Sequence, residues 1–301
     1  PIPTQQTPKR AASASSSTAA FDTTYGFRGV WHLNAAFGDA TNYANNGTNS
    51  NSSDTVGIIG RGSHFLSGSS QYVEVPYSAT LNLSSFTFSA WTRVSTSLGA
   101  IRGIISSRFG GEYTFDAQWD NGNLHGDIGN GTSWLTTSAD YAYTPNGGQW
   151  YHVAWTATVN AYKVYLDGVQ VGSGTFAGTP QFMKRGETLR IGHSSSGAYF
   201  GGIIDEPRVD GVVRSADWMK LSYETQRLNG TAVSYPNTAL STFAYSTKLY
   251  INTSASGAST TTDVSNFPLL VRLTNANFNF SQAKSDGGDL RFADSAGNLL
   301  A

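Results

Sequence analysis

Between Gly26 and about Gly211 the chain alternates apolar and polar residues in short segments separated by turn clusters: GVWHL, YVEVP, FTFSAWTRV, YTFDAQW, LHGDI, YHVAWTA, YKVYL, LRIGH and GIIDEPRV. Neighbouring side chains on a strand face opposite sides, whereas a helix repeats about every 3.6 residues, so this pattern is incompatible with a helical body. It specifies many short antiparallel strands, and hence a two-sheet sandwich or jelly roll. The 33 glycines and the 13% of charged residues fit a protein with many turns and a largely neutral polar surface.

Two turns set strand register. Asp167-Gly168, between YKVYL and VQVG, has the composition of a two-residue hairpin loop in which both central residues need positive φ. It predicts the pairs Leu166 with Val169, Tyr165 with Gln170 and Val164 with Val171, and makes Asp167 a turn residue rather than a catalyst. Asn121-Gly122 predicts a second hairpin that pairs Trp119 with Leu124, Ala117 with Gly126 and Phe115 with Ile128 on one face. The opposite face then sets Gln118 across from His125 and Asp116 across from Asp127. Directly opposed like charges destabilise a sheet. This patch is therefore either a solvated face or a polar floor for a sugar or a cation.

One helix stands out. Ser215 caps it, Asp217 lies in its first turn, and Trp218, Met219, Leu221, Tyr223 and Thr225 give it one broad apolar side; Asn229-Gly230 stops it near Leu228. The organisation expected is an extended tail or linker over 1–22, a β sandwich over 23–228, a Pro/Ser/Thr/Asn linker over 229–245 and an incomplete β domain over 246–301. In that last part TKLYINT, FPLLVRLT, FNF and DLRFAD alternate as strands, too few for an independent two-layer core. The chain opens on Pro without an apolar signal-peptide segment, and the expectation is a mature or excised fragment.

Nineteen basic residues against 20 acidic ones give a net charge of −1, which excludes a basic nucleic-acid binder, and no apolar run approaches the roughly 18 residues of a membrane span. There is no Cys, so disulfides, thiolate metal sites and a cysteine nucleophile are excluded. The five His residues make no HExxH or similar metal spacing, and no G-x-S-x-G elbow is present. Of the tryptophans, Trp31, Trp91, Trp150 and Trp155 are assigned to the core. Trp134 serves either the core or a sugar-stacking platform, with Tyr141, Tyr143, Tyr199 and Phe200 as further stacking candidates.

Phe86-Thr87-Phe88-Ser89-Ala90-Trp91, Trp150-Tyr151-His152-Val153-Ala154, Tyr165-Leu166-Asp167-Gly168-Val169, Ile204-Asp205-Glu206-Pro207-Arg208-Val209 and Arg214-Ser215-Ala216-Asp217-Trp218 follow one another in order. This series resembles the laminin-G-like, concanavalin A-like lectin/glucanase superfamily over about residues 25–228. The resemblance implies an all-β, two-sheet antiparallel jelly roll with one short helix at its C-terminal end, used mainly to bind glycans or proteins. It also implies a structural Ca²⁺ held by Asp205 with backbone carbonyls; Asp39 and Asp54 offer further oxygens. Phe267-Pro268-Leu269-Leu270-Val271-Arg272-Leu273 and Asp286-Gly287-Gly288-Asp289-Leu290-Arg291-Phe292 resemble the first half of an uncharacterised β domain of secreted or surface-attached bacterial and archaeal proteins.

Glucanases of this fold usually carry Glu-x-Asp-x-x-Glu on a strand, which is absent here. Asp205 and Glu206 are strand neighbours and point apart, although Asp116 and Asp127 could meet a glycosidase's carboxyl separation across their hairpin. The function expected is a non-catalytic carbohydrate-binding or adhesion module of an extracellular or surface protein. Its ligand would be a glycan or polysaccharide contacted by Asp116, Gln118, His125, Asp127 and Trp134. The alternatives are a repeat subunit of a surface filament, whose C-terminal sheet is completed by another copy, and a glycoside hydrolase.

Overall fold

The computed structural model describes residues 18–95, 102–109, 111–194, 198–235, 247–284 and 290–293. Two antiparallel sheets of eight strands pack face to face. The first contains β1 (Phe27–Val30), β3 (Ser53–Val56), β4 (Arg61–Phe65), β6 (Phe86–Val94), β12 (Tyr151–Ala157), β13 (Ala161–Leu166), β14 (Val169–Thr175) and β16 (Gly202–Asp210), in the order β14-β13-β12-β6-β16-β4-β3 with β1 added on β16. The second contains β2 (Thr48–Ser50), β5 (Tyr72–Val75), β7 (Arg102–Ser106), β8 (Phe115–Asp120), β9 (Asn123–Gly129), β10 (Trp134–Thr136), β11 (Tyr141–Ala142) and β15 (Leu189–Ile191). Its order is β10-β9-β8-β7-β15-β5-β2, with β11 also on β9.

Alternation delivers the core. Phe86, Phe88 and Ala90 of β6 meet Phe115, Ala117 and Trp119 of β8, all essentially inaccessible to water. Phe86, Phe115 and Phe182 form a triad with ring centroids 4.9–5.4 Å apart. Two indole N–H groups of this core are paired, Trp119 with the Thr92 hydroxyl at 3.2 Å and Trp155 with the Ala139 carbonyl at 2.9 Å. Trp31, Trp91 and Trp155 are buried as expected, Trp91 on the helix-covered outer face of the first sheet, but Trp150 is half-buried. Phe200 is buried against Phe65 and is unavailable for stacking on a ligand.

The Asn121-Gly122 hairpin has the predicted register at every pair. The Asp167-Gly168 hairpin follows prediction for Leu166–Val169 and Tyr165–Gln170, then a bulge puts Val164 opposite Gly172 instead of Val171. The Asp140 carbonyl crosses this strand so closely that a Cβ at position 172 would lie 2.9 Å from it, which explains why glycine takes the paired place.

Helix α1 (Ala216–Gln226), capped by the Ser215 hydroxyl, lies on the outer face of the first sheet and ends two residues before the expected Leu228. Trp218 packs on Phe27, and Tyr223 stacks on Trp91. Beneath the helix, Asp210 is paired by Arg214 at 2.7 Å and approached by Arg208 at 3.4 Å. The predicted tail falls largely outside the described residues, as does most of the 229–245 linker. Phe21 already belongs to the body, 5.4 Å from Phe27.

The C-terminal strands are corrected. Tyr250–Ile251 forms a two-residue ladder with Val233–Ser234, but residues 267–274 and 278–280 form no strand, nor do 290–292 among the described part of DLRFAD. Without a second layer of its own, this segment uses α1 instead. Phe267 packs on Trp218 at 4.9 Å, and Arg272 donates to the carbonyls of Ile58 and Gln226.

Candidate functional site

The outer face of the second sheet has no helix or further sheet over it among the described residues. Antiparallel pairing draws one continuous row across five of its strands: Asp127, Asp116, Ser106, Arg190 and Glu74. A neighbouring row holds His125, Gln118 and Gly103. Four of the predicted ligand residues therefore share one surface.

The opposed carboxylates are each given a cation. Arg108, from the β7–β8 loop, reaches Asp116 at 3.5 Å, and His125 lies 3.2 Å from Asp127. A third carboxylate completes the arrangement. Because Tyr141 of β11 pairs with Leu124, Asp140 arrives beside His125 and its oxygen is 2.7 Å from Nδ1. Burial alone would lower the His125 pKa, but the hydrogen bonds it donates to Asp127 and then to Asp140 outweigh it and raise the value to about 10. His125 is accordingly a fixed cation at neutral pH, not a proton shuttle.

Trp134 joins this surface through β10, whose Trp134–Gly129 pairing follows a turn held by the Asn130 side chain. The Arg108 guanidinium lies 4.5 Å above the indole, and Tyr113 meets it edge-on at 5.3 Å. Such a cation–ring contact contributes roughly 0.5–2 kcal/mol and holds Arg108 in place. Trp134 is half-buried and Tyr113 is 39% exposed, so the rings form the accessible rim of the polar strip. The Ser106 hydroxyl and Gln118 Oε1 are buried on the same face with no hydrogen-bond partner among the described residues.

Arg108, Tyr113 and Asp140 escaped the sequence analysis. Arg108 and Tyr113 lie in a loop, and Asp140 reaches the site only through β11, a two-residue strand without detectable periodicity. Tyr141 and Tyr143 pack against the core, and Tyr199 stacks on His193 at 3.9 Å.

Asp205 lies apart, on the first sheet, and is completely buried. It accepts from the Ile59 amide at 2.9 Å, and burial followed by the nearby Glu206 charge pushes its pKa well up. Arg272 brings a positive charge to the same neighbourhood. Asp39 is occupied by the amides of Val30, Thr41 and Asn45, and Asp54 is paired with Arg61. No group of three His or acidic residues able to hold a metal occurs among the described residues. A calcium ion needs six to eight oxygens; here one Asp205 oxygen accepts from the Ile59 amide, and the other, Oδ1, is buried with no hydrogen-bond partner among the described residues.

The family model of the concanavalin A-like lectin/glucanases superfamily matches residues 67–220, just over half of the chain. The chain belongs to that superfamily. Among solved structures, this superfamily member is similar to domain 4 of AbnA, an extracellular arabinanase from Geobacillus stearothermophilus, in complex with arabinotriose. The TM-score is 0.51 at 19% identity, over 64% of this chain and 96% of that one. It is also similar to the receptor-binding domains of botulinum neurotoxin mosaic serotype C/D (TM-score 0.52, 16% identity, 67% of this chain and 51% of that one) and of botulinum neurotoxin D (0.50, 14%, 66% and 52%). The match spans about half the length of these toxin domains, and at such identities the likeness concerns the fold. No curated protein sequence matches the chain significantly.

Proposed function

We propose that the chain is a non-catalytic glycan-binding module of an extracellular or surface protein, and that it holds its ligand on the outer face of the second sheet. The observation that carries this reading is one surface combining a Trp134–Arg108–Tyr113 rim with the Asp127–Asp116 row, His125 and Gln118. Sugar rings present apolar faces to aromatic side chains, while their hydroxyls donate to carboxylates and accept from guanidinium and imidazolium N–H groups. The arabinotriose complex of AbnA domain 4 supports a sugar ligand for this fold.

A hydrolase requires one carboxyl group to deliver a proton. Here Asp116 faces Arg108 and Asp127 faces protonated His125, an arrangement suited to fixed acceptors. A panel of immobilised glycans tests the proposal: at least one is retained, Trp134→Ala or His125→Ala abolishes retention, and no reducing ends are released. Reducing-sugar release that Asp127→Asn removes would establish hydrolysis instead.

A second reading concerns the C-terminal segment. Tyr250, Ile251 and Phe280 are about half exposed, and the alternating residues 267–273 lack a strand partner among the described residues. Completion of this segment by another copy of the chain would accommodate both. Light scattering that shows concentration-dependent assembly, lost on truncation at residue 246, is the expected result; a monomer at all concentrations opposes it.

A further inference from the structure

The outer face of the first sheet is not covered by α1 to its end. On three adjacent strands His64, Ile203 and Arg93 pair across the ladder, and with Val94, Ser95 and Gly148 they line a hollow of about 230 Å³. His64 and Arg93 flank Ile203, so at ordinary strand spacing their Cα atoms are about 10 Å apart. No acidic residue lines the hollow among the described residues.

The nearby carboxylates are engaged elsewhere: Asp54 with Arg61, Glu206 with His32 at 2.6 Å, and Asp205 with the Ile59 amide. Arg61, Arg108, Arg190, Arg214 and Arg227 each meet a carboxylate. The Arg93 and His64 side chains make no hydrogen bond, ion pair or ring contact among the described residues. In a chain of net charge −1, two unmatched basic groups facing one hollow are a local feature, not part of a general cationic field.

We infer that this hollow is an oxyanion site, taking a sulfate or carboxylate group, separate from the sugar platform on the other sheet. Arg93 supplies a planar fork matched to two oxygens, His64 a ring N–H and Ser95 a hydroxyl. The volume is several times the roughly 30 Å³ share of one water, enough for the anion and part of a molecule that carries it.

Calorimetric titration in chloride buffer with inorganic sulfate, a sulfated oligosaccharide and its unsulfated parent tests the inference. Sulfate and the sulfated sugar bind, Arg93→Gln weakens both at least tenfold without shifting the melting temperature, His64→Gln weakens them less, and Trp134→Ala has no effect on sulfate. A sulfated sugar bound more tightly than the free ion identifies a glycan-borne group as the source; equal affinity identifies the free anion. Failure of both anionic probes to bind, or binding that Arg93→Gln leaves intact, overturns the inference. Inorganic sulfate reads this site without any sugar, so the result is independent of the platform.

Discussion

Each sheet turns a histidine outward, and the two are treated in opposite ways. His152, on the first sheet, lies under α1 against Trp91 at 5.2 Å; burial, aided by the Arg208 charge, lowers its pKa to about 3. His125, on the second sheet, is also penalised by burial, yet Asp127 and Asp140 raise its pKa to about 10. The first histidine is kept neutral in a site covered by α1. The other maintains charge at a partly open surface ringed by aromatic side chains. Covering serves stability, whereas charge held in place without a covering layer is what the proposed glycan platform would use.

The largest expected effect separates the two faces by mutation. Trp218→Ala, which removes the seal on the first sheet, should cost about 3–5 kcal/mol in chemical denaturation, as large-to-small changes at buried aromatics do. Trp134→Ala on the second sheet should cost less than about 1 kcal/mol while abolishing glycan retention. Equal costs would erase the distinction.

Next in size is the clip that ties the C-terminal segment to α1. Asp217 accepts from the amides and hydroxyls of Thr261 and Thr262 at 2.7–3.0 Å. Asp217→Ala should cost about 1–3 kcal/mol and expose residues 258–272 to proteolysis. The Thr262 hydroxyl foremost holds the Asp217 pKa below the usual carboxylate value. The clip's contribution is therefore complete above about pH 4 and lost as the pH falls below it, and acid should expose the same segment in the unmutated chain.

The histidines predict a smaller, two-sided pH dependence. A pKa raised from 6.5 to about 10 gives stability that is complete below 6.5 and lost as the pH rises toward 10. A pKa lowered from 6.5 to about 3 gives stability complete above 6.5 and lost as the pH falls toward 3. His125→Gln should flatten only the alkaline limb of a melting-temperature profile and His152→Phe only the acid limb. A variant that flattens both limbs would contradict the separation of the faces. The smallest expected effect is none: EDTA should leave the melting temperature unchanged, because no group of three His or acidic residues able to hold a metal occurs among the described residues.

Much of the sandwich was legible because a period of two forces alternate residues into the core, and β6 runs over the very residues of FTFSAWTRV. The Asn121-Gly122 turn assigns Asp116, Gln118, His125 and Asp127 to one face from the sequence alone. Charge matching was not legible. Asp140 and Arg108 reach the face through a two-residue pairing and a loop, which leave no periodic signal. The C-terminal segment misled because FPLLVRL has strand-like alternation. Its Phe267 and Arg272 are occupied by α1 and the 58–59 loop rather than by neighbouring strands.

Hydrogen–deuterium exchange of the chain with and without the best-retained array glycan tests the central claim most directly. The account predicts protection over Arg108–Asp116 and His125–Trp134, with α1 unchanged. Protection confined to α1 and residues 258–272, or absent from the second sheet despite saturating glycan, would contradict it.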